Sequence, residues 1–141
     1  FELVGQAELR FFVWPVYEAR LYSDSGAYEF PHTAPFALVL EYKRQFTKEQ
    51  LISETQKQWQ ILGIEQTREW LESLARVLRD VEKSDVITLY VDNKANSVFY
   101  LNDTLLGSIN DPAFTEQFIA IWLSDKTSRP EFRADLLGSS L

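Results

Sequence analysis

The chain has 141 residues, one domain's worth, and its 45% hydrophobic and 25% charged residues exclude a disordered or fibrous protein. Its net charge of −7, from 21 acidic and 14 scattered basic residues, argues against nucleic acid and an anionic membrane surface, which both draw on clustered Lys and Arg. Without Cys there is no disulfide, thiolate metal site or cysteine nucleophile, and no apolar run approaches the roughly 18 residues of a membrane span.

The first third reads as strand. Residues 3–13, LVGQAELRFFV, are rich in β-branched and aromatic side chains. In residues 15–23, PVYEARLYS, Val16, Glu18 and Arg20 alternate with Tyr17, Ala19 and Leu21. The pair is expected to form a hairpin turning near Trp14-Pro15, because Pro fits poorly inside a central strand. After a loop carrying Pro31, His32 and Pro35, residues 36–46, FALVLEYKRQF, make a third strand.

The period then changes from that of a strand to that of a helix. TKEQ, Thr47 to Gln50, is a capping-box signature just ahead of Leu51 and Ile52. A helix is expected to run to about Leu62 and stop at Gly63, which takes a left-handed conformation readily. Its apolar positions (Leu51, Ile52, Trp59, Leu62) are sparse, which puts it at the surface. A second helix opens near Thr67, with Trp70, Leu74, Val77, Leu78 and Val81 forming one apolar stripe.

Residues 85–93 and 97–102 return to strand character, and Asn102-Asp103 supplies a two-residue hairpin turn into residues 104–109, TLLGSI. Asp111 as N-cap and Pro112 at the first helical position open a third helix, with Phe114, Phe118, Ile121 and Trp122 on one face. A last short helix follows Pro130 and carries Phe132, Leu136 and Leu137. Tight turns between neighbouring strands favour antiparallel pairing. The expectation is a single α+β domain over residues 1–141, with an antiparallel sheet and helices packed on one face.

The run from Leu101 to Gly138, LNDTLLGSINDPAFTEQFIAIWLSDKTSRPEFRADLLG, resembles the C-terminal half of the chalcone isomerase-like proteins. The shared features are a turn, a strand ending Gly-x-Ile, a helix closing on Ile-Trp-Leu and a last helix ending Leu-Leu-Gly. LVGQAELRFFVWPVYEARLYS resembles the family's N-terminal block, and KQWQILGI, Lys57 to Ile64, the end of its first long helix. The likeness is closest to the bacterial, often exported branch. It implies an open-faced β-sandwich, a large antiparallel sheet with a helical layer on one face and a cleft between them. Two activities are known on that fold: plant enzymes cyclise chalcones to flavanones, and non-enzymatic members bind fatty acids.

In the enzymes an Arg on the first strand, a Thr on the next, a Tyr before the first helix and an Asn on that helix stabilise a phenolate and a developing enolate. By the family's spacing these positions fall on Leu9, Phe12, Thr47 and Glu54, and none matches. Arg10 is offset by one residue, which in a pleated strand turns its guanidinium to the opposite face unless a bulge restores it. A positioned oxyanion donor is worth roughly 3–4 kcal/mol, whereas a carboxylate at Glu54 facing the cleft would repel the same charge. Chalcone cyclisation is therefore not expected.

Each candidate has a plainer reading. Arg10 is either a carboxylate anchor or a solvent-facing strand residue, Thr47 is accounted for as an N-cap, and Glu54 reads as a solvated helix side chain. His32, without acidic or second-His neighbours, makes a poor metal ligand or triad member. Among ten Phe, six Tyr and four Trp, those at Phe11, Tyr17, Tyr42, Trp59, Tyr90, Phe99, Phe118 and Trp122 are candidates to line a cavity for a flat or acyl ligand, plain core packing being the alternative for each. No glycine-rich phosphate loop, paired-His motif or Gly-x-Ser-x-Gly turn occurs.

The candidate ligand-binding set is Leu9, Arg10, Phe11, Tyr17, Tyr42, Thr47, Glu54, Trp59 and Phe99, with no catalytic, metal or cofactor site expected. The leading expectation is a non-catalytic chalcone isomerase-fold protein that holds a fatty acid or other apolar small molecule in the sheet–helix cleft. The alternatives are an isomerase or intramolecular lyase of altered chemistry using Arg10 or Glu54, and a structural or partner-binding domain with a filled cleft and no ligand. A chain that begins at Phe1 and contains no Met is expected to be processed, with a periplasmic or otherwise exported location favoured over a cytoplasmic one.

Overall fold

The computed structural model describes residues 1–31 and 35–138. Six strands form one antiparallel sheet in sequence order: β1 (Glu2–Phe11), β2 (Trp14–Ser23), β3 (Phe36–Tyr42), β4 (Val86–Val91), β5 (Ser97–Leu101) and β6 (Thr104–Ile109). Helices α1 (Lys48–Ile61) and α2 (Arg68–Val77) join β3 to β4, and α3 (Pro112–Leu123) and α4 (Pro130–Leu136) follow β6. The architecture is the α+β fold expected from the sequence.

Alternation decides which face each side chain takes. Ala19, Leu21, Leu38, Leu40, Ile87, Leu89 and Phe99 point to one face and are buried. On the other face Glu18 lies directly opposite Glu41. That like-charge pair is tolerated because Arg20 contacts both, at 2.8 and 3.5 Å, and Lys43 sits 3.1 Å from Glu41. Helix α3 forms the centre of the covering layer, with Phe114, Ile119 and Leu123 fully buried. Its start is fixed by Asp111, whose carboxylate accepts the N–H groups of Ala113 and Phe114. In the interior the hydroxyls of Ser97 and Thr115 lie 2.6 Å apart, so β5 and α3 share a satisfied polar contact.

Some boundaries differ from the sequence expectation. The first hairpin turns at Phe12-Val13, since Phe11 pairs with Trp14. Pro15 fits inside β2 because the bulge at the neighbouring Val16 already interrupts the ladder with β1, and β3 pairs only from Tyr17 onward. The third strand ends at Tyr42, and Phe46 makes a lone bridge with Val81. Helix α2 ends at Val77, with Leu78 extended. There Arg79 donates to the carbonyls of Arg76, Val77 and Leu78 at 3.3, 3.1 and 2.9 Å, satisfying groups the ended helix leaves open. Leu78 and Val81 are buried as core residues of an extended segment rather than as part of a helical stripe.

Candidate functional site

Helix α1 begins where the sequence places it. The Thr47 hydroxyl accepts the Gln50 N–H at 3.1 Å, and the Gln50 side chain accepts the Thr47 N–H at 2.8 Å. From that start Gln50, Leu51, Glu54, Thr55 and Gln58 share one helical face. This face roofs a cavity of about 350 Å3. The floor is the sheet, through Leu38, Leu40, Ile87, Leu89 and Phe99, and α3 closes one side with Phe118, Ile121 and Trp122. The volume lies within the roughly 300–1,000 Å3 of small-molecule sites. The buried polar positions of α1 are satisfied: the Thr55 hydroxyl donates to the Leu51 carbonyl, and Gln58 donates to Glu54 and accepts from Ser128.

The cavity's polar groups converge from different elements. Tyr17 on β2 and Tyr42 on β3 are paired across the sheet, with ring centroids 5.5 Å apart. Trp122 Nε1 donates to the Tyr17 hydroxyl at 2.8 Å, which leaves the phenol's own proton for an acceptor in the cavity. Burial pushes Tyr17 up to about 12, against the opposing influence of the Trp122 hydrogen bond and the Arg129 charge. Burial raises Tyr42 as well, with the neighbouring Tyr17 adding to it. Both are therefore neutral hydroxyls at physiological pH. Arg129 lies 3.7 Å from Glu54. Arg44 stands at the rim over the Phe46 ring, 5.9 Å from its centroid. An apolar interior with phenol and guanidinium donors at one end is suited to a ligand with an apolar body and an acceptor or anionic end.

Seven residues of the sequence-derived set line this cavity: Leu9, Arg10, Phe11, Tyr17, Tyr42, Glu54 and Phe99. Leu9 packs against the core on the same side as Ala7. Arg10 faces the other way with Glu8, whose carboxylate it binds, and reaches the Val13 carbonyl at 3.4 Å. Its side chain is 56% exposed. The extra residue of the bulge, Val16, lies on β2, so β1 keeps its pleat and the Arg10 guanidinium stays at the rim. Thr47 does not reach the cavity, because its hydroxyl is held in the helix cap. Trp59 does not either: it is 0% exposed, donates to the Gln117 carbonyl at 2.8 Å and packs against Trp70, Phe114 and Phe118 as core.

Of the other aromatics, Phe118 and Trp122 line the cavity, and Tyr90 lies on the opposite sheet face beside Phe1. Phe12 is 80% exposed in the hairpin turn. His32 lies outside the described residues. Sequence reasoning missed Gln50, Thr55, Gln58, Arg44 and Arg129. The available signal was Gln50, Glu54 and Gln58 at four-residue spacing, a polar stripe that reads as solvent-facing until the cavity beneath it is seen. Among the described residues no three His, Asp or Glu side chains gather to hold a metal, and no helix is long and apolar enough to cross a membrane.

The sequence matches the family described as chalcone isomerase-like over residues 1–138. It is 26% identical over 139 residues to an uncharacterized protein of Haemophilus influenzae, covering 97% of this chain and 68% of that protein. Its fold is similar to that of a fatty-acid binding protein of Arabidopsis thaliana, with a TM-score of 0.68 and 11% identity, covering 96% of this chain and 85% of the other. With the family match running through every described strand and helix, the chain belongs to the chalcone isomerase-like family.

Proposed function

We propose that the protein binds a fatty acid or a similar long apolar acid in the sheet–helix cleft and performs no chemistry on it. The observation that carries this reading is the cavity of about 350 Å3, apolar along its floor and flanked at its rim by Arg44 and Arg129. Burying an acyl chain gains about 0.8 kcal/mol per methylene, so ten methylenes supply roughly 8 kcal/mol before the costs of association. The carboxylate then accepts from the Tyr17 hydroxyl and Arg129 at the polar end. The fold shared with a plant fatty-acid binding protein supports the same ligand class.

The case against catalysis comes from the residues at the enzyme positions implied by the family resemblance. Leu9 is an apolar wall, Phe12 is an exposed turn residue, Thr47 is a helix cap and Glu54 is an acid at the cavity. At the Glu54 position a developing oxyanion would meet a carboxylate, where the resemblance to the enzymes calls for an Asn donor. Native mass spectrometry of protein purified from its host tests the proposal. The expected result is an adduct of fatty-acid mass that is released on denaturation. Protein without such an adduct, both as purified and after incubation with palmitate, would contradict it.

A further inference from the structure

The β1–β2 hairpin ends in Phe11-Phe12-Val13-Trp14, and all four side chains are exposed, from 58% at Trp14 to 80% at Phe12. Large apolar groups contiguous at a surface mark an interaction site. Further observations indicate what covers them. Phe12 holds a left-handed conformation at φ +58°, where Gly or Asn would sit with less strain, and its ring packs edge-on to Phe11 with centroids 4.7 Å apart. The result is a convex aromatic wedge rather than a groove. From Leu9 to Tyr17 there is no carboxylate, in a chain that has 21 acidic residues. The one cation in that stretch, Arg10, is held just below the tip by Glu8 and the Val13 carbonyl. At this end of the hairpin Leu9, Arg10, Phe11 and Val16 also line the cavity.

An apolar, acid-free tip with an arginine at its base, directly beside the opening of an apolar cavity, fits the interfacial zone of a lipid bilayer. Trp and Phe partition into that zone, while Arg stays at headgroup level. We propose that this hairpin tip docks on a bilayer surface and seats the cavity mouth against the membrane. The net charge of −7 directs it to zwitterionic rather than anionic lipid. The docking stands on the hairpin's own geometry. That a fatty acid then passes between bilayer and cleft without crossing water rests on the function proposed above.

The test is flotation of the whole chain with phosphatidylcholine vesicles and, separately, phosphatidylglycerol vesicles. Wild type is expected to float with phosphatidylcholine, to do so equally at about 0.5 M salt because the attraction is apolar, and to bind phosphatidylglycerol less. The double variant Phe12→Asp with Val13→Asp is expected to lower the bound fraction by roughly tenfold or more. Neither residue lines the cavity, and Asp tolerates the turn conformation. Its circular dichroism and its palmitate affinity in vesicle-free buffer should therefore match wild type, so loss of docking is read apart from loss of ligand binding. The proposal is overturned if wild type stays unbound on both vesicle types, if the variant floats like wild type, or if binding is confined to phosphatidylglycerol and abolished by salt. It is also overturned if sedimentation velocity finds a dimer that the double variant abolishes, since the tip then covers a second copy.

Discussion

Glu54 and Arg129 set opposite electrostatic conditions at one end of the cavity, 3.7 Å apart. Glu54 repels an incoming carboxylate and occupies the cation that would receive it. Under the proposed function, Arg129→Gln weakens palmitate binding roughly tenfold, the worth of one charge-assisted hydrogen bond of about 1.5 kcal/mol. Glu54→Gln tightens it. The matching fatty alcohol, which carries no charge, should be indifferent to both, and displacement titrations of acid and alcohol against the two variants check the signs. Sequence pattern makes side-chain direction legible where a strand's faces differ, as at Leu9 and Arg10. It could not separate a core tryptophan from a cavity tryptophan: Trp59 and Trp122 both sit on helical apolar stripes, and only the packing of α1 against α3 decides that Trp122 meets the cavity.

The docking of α4 on β1 depends on a missing side chain. A Cβ on Gly5 would stand 2.5 Å from the carbonyl oxygens of Asp135 and Leu136 and 2.7 Å from the Gly138 nitrogen, all backbone atoms with little freedom to yield. Gly5→Ala is therefore expected to cost about 1–3 kcal/mol through overpacking, read in a thermal melt as a Tm lower by roughly 3–12 °C. An unchanged Tm would mean that α4 does not rest on that strand. Element existence was legible from the sequence because caps and periodicity agreed, as at Thr47, Asp111 and the Asn102-Asp103 turn. Element ends were less so. Leu78 and Val81 continue the apolar spacing of α2, but backbone direction there is set by the Arg79 contacts and the Phe46–Val81 bridge, which are tertiary.

Tyr17, Tyr28 and Tyr42 are all raised above the ordinary tyrosine value of 10.0, burial being the first cause in each. The folded state keeps these protons at pH values where the unfolded chain has released them. Their contribution to stability is complete below pH 10 and is lost as pH rises through the raised values, Tyr17 titrating at about 12. Thermal melts should show Tm falling above pH 10, and Tyr42→Phe should flatten that slope. A flat wild-type profile would contradict the burial. The fold was readable in the sequence because each apolar face needed a partner and one layering supplied it. The cavity was not, because an open cleft and a filled one use the same aromatic residues, and the difference lies in how far α1 stands from the sheet.

Whether this space receives an acyl chain is read from calorimetric titration of delipidated protein with palmitate, run beside Leu40→Trp, a variant that fills the cavity floor. Wild type is expected to bind saturably, and a Leu40→Trp protein whose circular dichroism is native is expected not to bind. Wild type that takes up no palmitate, or equal binding by the two proteins, would contradict the proposed function.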